Sequence, residues 1–360
     1  MKIDSLELSR LSIPLSKPYA RSYRTDHTFE PIMLELRDRD GRSGWADATV
    51  TTGYTHETIE GAWNFLRAHC AALVGCETGL AKERLLRYFD TDPNAVSIGV
   101  AAIEMLEGDP VLEIREDTQV PLLCGLSTTN PTAVAEEVEE ILFAGFRTIK
   151  IKVGFDVDAD LRIVRAAQSA VGGRAVLRLD ANRGFSREDG CRFASSLDAT
   201  DIMLFEQPCG SDDWAANAAV AFVSAVPIML DESIYGLDDI DRAAAIPGIG
   251  FIKLKLKKAG GLNRLRTALM RIRQIGAQPV LGDGVSTETS CWMEACVARE
   301  TIDNAGEMNG FLRCRDRLFC NPMPFANGSI SLPAGYRPEL DHRAVAEFRL
   351  TVERFATGRT

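Results

Sequence analysis

From Lys2 to about Asp47, apolar and polar residues alternate in IDSLELSRLSIPL and again in IMLELRDRDGRSGWAD, the second run broken at Asp40-Gly41. A period of two predicts strands, here a meander. The period then lengthens. In HETIEGAWNFLRAHCAALV the apolar Ile59, Trp63, Phe65, Leu66 and Leu73 recur near helical spacing, and AVSIGVAAIEMLEG reads as a more fully buried helix. The first third of the chain is therefore expected to be α+β.

After Pro121, short apolar runs alternate with helical stretches, the pattern of repeated βα units around a parallel sheet. The candidate strands are PLLCGL (121–126), TIKIKV (148–153), AVLRLDA (175–181), IMLFEQP (202–208), PIMLDES (227–233), FIKLKL (251–256), QPVLGDG (278–284) and a weak one near 304–308. Eight strands predict a barrel. Runs such as PTAVAEEVEEILFAG and LNRLRTALMRIRQIGA, apolar on one side and charged on the other, suit its outer helices. From about Ser329, a short strand beginning at Ile330 and a helical pattern in HRAVAEFRLTVERFA are expected to return to the N-terminal part. The expected division is a capping domain over 1–118, a barrel over 119–328 and a returning segment over 329–360.

Composition removes several classes. With 360 residues, 46% of them hydrophobic, the chain can bury a large core, and its net charge of −10 would repel a phosphate backbone. No nucleic-acid partner is expected. The N-terminus has no basic segment leading into a long apolar run, and the nine cysteines are dispersed without a Cys-x-x-Cys pair. A cytoplasmic protein with reduced thiols and no membrane contact is expected.

Against this apolar background, Lys150, Lys152, Asp180, Glu206, Asp231 and Lys255 stand late in their strands; those at 152, 180, 206, 231 and 255 recur at a pitch close to 25 residues. Barrel strands point their C-terminal ends at one face, so these charges are expected to converge on one cleft. Asp180, Glu206 and Asp231 end three successive strands. Three carboxylates brought together repel unless a cation neutralises them, and an all-oxygen set suits a hard divalent ion such as Mg²⁺, with Mn²⁺ as a substitute. Strand parity puts Lys150 and Lys152 on one side, and likewise Lys253, Lys255 and Lys257 in IKLKLKKAGG, where Lys258 adds a fourth amine. The four histidines, His27, His56, His69 and His342, all lie outside the barrel strands, so a histidine base from a strand end is excluded. Two rivals are a metal-free Schiff-base aldolase using one strand lysine and a catalytically silent relative.

Taken together, the Lys-x-Lys of Lys150 and Lys152, the sequence Asp180, Glu206, Asp231, and Lys255 five residues before Gly260-Gly261 resemble the muconate lactonizing enzyme subgroup of the enolase superfamily. The resemblance implies an α/β fold, a modified TIM barrel (β/α)₇β under an α+β cap, and abstraction of the α-proton of a small carboxylate substrate to give an enediolate stabilised by the metal. It implies Lys152 and Lys255 as the acid/base pair, Lys150 polarising the carboxylate, and Asn182 and Glu232 orienting ligand and lysine. The product would be epimerised or racemised, dehydrated or cycloisomerised. The helix before the first barrel strand is compressed here. The seventh strand end reads GDGVSTETS, without the acid usual in muconate cycloisomerases, and the eighth reads NAGEMNG, without the Asp-x-Asp of dipeptide epimerases. An amino-acid-derived substrate is favoured over muconate. Asp283 and Glu307 either hold a cationic substrate group or cap helices. Cap loops carrying Tyr54 and Arg24 are expected to reach the substrate, and a homo-oligomer is expected.

Overall fold

The structure is a computed structural model that describes residues 1–20 and 25–357. The N-terminal part begins with β1 (Ile3–Leu11), β2 (Ile13–Ala20), β3 (Thr25–Phe29), β4 (Pro31–Asp38) and β5 (Ser43–Thr49). As the alternation predicted, β1, β4 and β5 pair antiparallel. Gly41, at φ +81°, sits in the turn between β4 and β5. Helices α1 (Ile59–Leu73), α2 (Thr78–Leu86) and α3 (Pro93–Glu107) follow, and α3 lies directly on β5. The approach is close. A Cβ on Gly44 would meet the Ala102 carbonyl oxygen at 2.3 Å, so only glycine permits this packing.

The next two strands, β6 (Thr118–Pro121) and β7 (Cys124–Gly125), divide what the sequence suggested was one strand over 121–126. Here a register break sends β6 into a separate antiparallel sheet while β7 starts the barrel. The barrel continues through α4 (Val134–Phe143), β8 (Thr148–Lys152), α5 (Val157–Val171), β9 (Val176–Asp180), α6 (Arg187–Ser195), β10 (Ile202–Glu206), α7 (Trp214–Val223), β11 (Ile228–Leu230), α8 (Leu237–Ala244), β12 (Ile249–Leu254), α9 (Leu262–Gln274), β13 (Gln278–Leu281) and α10 (Glu288–Thr301). Strands β7 to β13 form one parallel sheet in sequence order. Several outer helices start on side-chain caps that satisfy their free N–H groups, among them Asp156 on Ala159, Ser186 on Asp189 and Asp213 on Ala216.

The expected eighth strand near 304–308 is not a regular one. Gly306 N–H donates to Pro121 O at 2.8 Å and Glu307 N–H to Leu281 O at 2.9 Å, so this stretch bridges β13 to the segment around Leu122 and closes the ring. Short as it is, the bridge fixes Glu307 inside the barrel.

Strands β14 (Phe325–Ala326) and β15 (Ser329–Leu332) pair with each other, and β15 with β6. The helical pattern in HRAVAEFRLTVERFA holds only for α11 (His342–Glu347); the rest is β16 (Arg349–Ala356), antiparallel to β1. Pairing with the open edge of β1 supplies backbone hydrogen bonds that a longer helix could not, and tertiary context overrides the local period.

Leu204, Met229, Phe251 and Val280, on successive barrel strands, form a separate apolar cluster. Two residues further along each of β10, β11 and β12 stand Glu206, Asp231 and Lys253, so apolar residues give way to charge toward the C-terminal ends. Arg178 is also fully buried. Only its Nη2 is hydrogen-bonded, to Asn304 Oδ1 at 2.9 Å, and burial lowers its pKa to about 10.

Candidate active site

The parallel register sets neighbouring strand ends level. Lys152 pairs with Asp180, and Asp180 with Glu206. The backbone then turns sharply: Asn182 and Gln207, just past Asp180 and Glu206, have φ of 42° and 37°. Left-handed conformations cost energy for such residues and persist where surrounding bonds hold them. Gln207 is so held, its Oε1 accepting the Asp231 N–H at 3.0 Å and its Nε2 donating to Ser233 Oγ at 2.8 Å. Gln207 thereby fixes the Asp231 segment, a role its sequence position gave no sign of.

Ammonium and carboxylate groups alternate along these strand ends. Lys152 Nζ lies 2.5 Å from Asp180 Oδ2, and Lys150 Nζ lies 2.7 Å from the same oxygen and 2.9 Å from Glu206 Oε2. Lys253 Nζ is 3.0 Å from Glu206 Oε1 and 3.7 Å from Asp231 Oδ2, and Lys255 Nζ is 2.8 Å from that Asp231 oxygen. The row thus runs from Lys152 to Lys255. Its two ends differ in access: the Lys152 side chain is 38% exposed and that of Lys255 is 8% exposed, while Lys150 and Lys253 are buried. Glu307 lies beneath, accepting from Lys150 at 2.9 Å through both oxygens and also from Lys253.

Burial penalises the charges of Asp180, Glu206, Asp231, Lys255 and Lys258, and their neighbours decide the outcome. Asp180 and Asp231 overcome burial through their lysines and are held below the usual carboxylate range. Glu206 does not: burial and then the Asp180 charge push its pKa up despite Lys150 and Lys253. For Lys255, burial works against the ammonium but Asp231 outweighs it, and the pKa rises. Lys258, with Nζ 2.6 Å from Asp231 O and 3.2 Å from Oδ1, goes the other way. Burial, which Asp231 only partly offsets and Lys255 reinforces, brings it down to about 8.

Asn182 and Glu232 join this network. Asn182 Oδ1 accepts from Lys152, and its Nδ2 donates to Glu232 Oε1 at 3.1 Å. Burial and then Asp231 raise Glu232 to about 7. The cap reaches in through Tyr54, whose hydroxyl donates to Asp231 Oδ1 at 2.6 Å and whose ring lies 3.9 Å from Lys255 Nζ. Asp283 is brought to the same mouth, paired with Lys257 at 2.5 Å beside Thr49 and Thr51. Arg24 lies outside the described residues. His56 is bonded to Thr91 O in the cap, away from the strand ends.

The donor set suits a divalent ion: three carboxylates, all buried, with Glu206 Oε2 lacking a hydrogen-bond donor in good geometry. As arranged, the ammoniums stand between them. Among the described residues, no group of three His, Cys, Asp or Glu side chains is gathered closely enough to hold a metal ion. The chemistry of the donors fits the ion, and binding requires the lysines to yield.

Residues 133–338 match the family model described as enolase C-terminal domain-like. Over 350 residues the chain is 26% identical to the L-Ala-D/L-Glu epimerase of Bacillus subtilis (strain 168), covering 92% of this chain and 95% of that one. It is 28% identical over 286 residues to the o-succinylbenzoate synthase of Geobacillus stearothermophilus, covering 74% and 73%. The N-succinyl Arg/Lys racemase of Bacillus cereus ATCC 14579 has the same fold, with a TM-score of 0.89 at 21% identity over 98% of this chain and 100% of that one. So has a muconate lactonizing enzyme from Pseudomonas fluorescens complexed with muconolactone, at 0.87 and 22%, over 97% and 99%. The chain belongs to the enolase C-terminal domain-like family and is an enolase-superfamily enzyme.

Proposed function

We propose that the cleft removes the α-proton of a small carboxylate derived from an amino acid and returns a proton to epimerise or racemise it. The observation that carries this reading is the row of charges with Lys152 at one end and Lys255 at the other, flanking Asp180, Glu206 and Asp231. Such an arrangement offers a proton acceptor on one side of a bound carbon acid and a donor on the other.

Enolase-superfamily members generally use Mg²⁺. Asp180, Glu206 and Asp231 would hold one such ion, with Mn²⁺ as a substitute. A bound divalent ion would supply stabilisation for the enediolate charge that develops as the proton leaves. Lys255 is an ammonium while Asp231 is its partner; engaging Asp231 with a cation removes that partner and favours the free amine a base needs. Asn182 holds Lys152 in place, Gln207 holds Asp231, and Tyr54 covers Lys255 and limits water. Relatives named as an epimerase and a racemase of amino-acid derivatives support this substrate class.

Incubation with N-acyl amino-acid, dipeptide and hydroxy-acid libraries in D₂O with Mg²⁺, read by mass spectrometry, tests the proposal. Enzyme-dependent α-deuterium that disappears with EDTA is the expected result. Absence of exchange in every library, or borohydride trapping of substrate on Lys255 with activity surviving EDTA, would contradict it.

A further inference from the structure

Lys253, like Lys150 and Lys258, is buried in this cleft, and it faces carboxylates on several sides. Its side chain is 2% exposed, and its ammonium is spent on Glu206, Asp231 and Glu307. Nearby, Lys150 joins Asp180 to Glu206 in the same manner, but Lys150 starts from β8 on one side of the carboxylate row, whereas Lys253 rises from β12 on the other. Between them they join the carboxylates in pairs. The four carboxylates Asp180, Glu206, Asp231 and Glu307 already face five ammoniums, those of Lys150, Lys152, Lys253, Lys255 and Lys258. No excess negative charge is left to draw in a dication.

A divalent ion binding to Glu206 and Asp231 must therefore compete with a cation already bridging them. In a buried site that competition is strong, because an ammonium a few ångströms from a metal ligand repels the ion with little screening. Building the bridge from a side chain also makes it permanent, since a tethered cation does not diffuse away.

We propose that Lys253 is a built-in competitor that sets a weak divalent-ion affinity for this cleft, by bridging Glu206 and Asp231 in the ion's absence. The inference rests on the reading of Asp180, Glu206 and Asp231 as metal ligands. Lys253 is a positioning residue here: it acts on the carboxylates and touches no substrate. The effect is local, so it depends on where the charge sits and not only on the net charge of the cleft.

Titration of the EDTA-treated full-length protein with Mn²⁺, following free Mn²⁺ by electron paramagnetic resonance, tests this without turnover. Lys253→Met is expected to tighten the Mn²⁺ Kd by tenfold or more. The double variant Lys253→Met/Glu307→Gln keeps the net charge of the cleft and leaves no unpaired carboxylate from that ion pair, so it remains decisive if the single variant fails to fold. It too is expected to bind at least tenfold more tightly than wild type. A double variant within threefold of wild type, or weaker, overturns the inference while leaving the metal reading intact, provided that Asp231→Asn abolishes the binding. Absence of Mn²⁺ binding in every form at millimolar concentration overturns both.

Discussion

Glu294, on a fully buried turn of α10, accepts the Leu256 N–H at 2.8 Å and the Asp283 N–H at 3.1 Å. Burial, reinforced by the Asp283 charge, lifts its pKa from 4.5 to about 8. The folded protein thus keeps a proton that the unfolded chain releases above about pH 4.5. Stability from this group is complete below that pH and declines as pH rises through about 8. Glu294→Gln cannot titrate, and it loses one acceptor oxygen, at a cost of roughly 1–3 kcal/mol. Calorimetry should show the variant well below wild type in Tm at pH 5 and closing the gap by pH 8.5; a constant gap would show that Glu294 does not carry the proton. The sequence exposed Asp180, Glu206 and Asp231 because each interrupts an apolar strand. It hid Glu294 and Gln207, one in a helix where a Glu is ordinary, the other a neutral amide. Lys253 was visible by parity, which groups it with Lys255 and Lys257; only Lys255 was singled out, by its place five residues before Gly260-Gly261. Lys258 reaches Asp231 because the chain leaves strand geometry for a short 3-10 turn at Leu256–Lys258, which parity does not anticipate.

At the scale of elements, the contact of α3 with β5 shows how narrow the margins are. Gly44→Ala places a methyl group 2.3 Å from both Ala102 O and Leu106 N, backbone atoms that move only with the helix. Overpacking of this kind costs about 1–3 kcal/mol, and with backbone on the other side the loss should fall at the upper end. A urea midpoint unchanged from wild type would mean that α3 shifts freely on the sheet. Gly260 and Gly261 answer a similar demand, at φ +75° and +114°, where the chain turns after Lys258 and brings α9 onto Glu104 of α3. Elements with a sustained period were legible: the βα units from β8 to β13 fall where the pattern placed them. Two failures share a cause. The split of 121–126 into β6 and β7, and β16 in place of a helix, both depend on partners far away in sequence, β15 and β1.

Across the whole molecule, cap and barrel are tied at several points around the cleft. Asp47 in β5 accepts from Thr287 at 2.6 Å and from Ser290 at 2.7 Å at the start of α10. Arg183 donates to Gly53 O and Tyr235 to Tyr54 O, each at 3.0 Å, holding the loop that sets Tyr54 on Asp231 and Lys255. The barrel supplies the charges and the cap closes over them. Of the cap loops, the structure brings Tyr54 to Asp231 and Lys255; how the other loop side chains are placed was not legible, since they follow no period. Sequence spacing predicted convergence of the strand-end charges, yet not that lysines would stand between the carboxylates.

The two-sided arrangement of Lys152 and Lys255 is tested most directly by α-proton exchange in D₂O, followed separately for each enantiomer of a turned-over substrate. Lys152→Ala and Lys255→Ala should each abolish interconversion of the enantiomers. Each should also lose exchange with the enantiomer whose proton faces the missing amine, while the opposite enantiomer still exchanges without inversion. Exchange of both enantiomers at the wild-type rate in either variant would contradict the account.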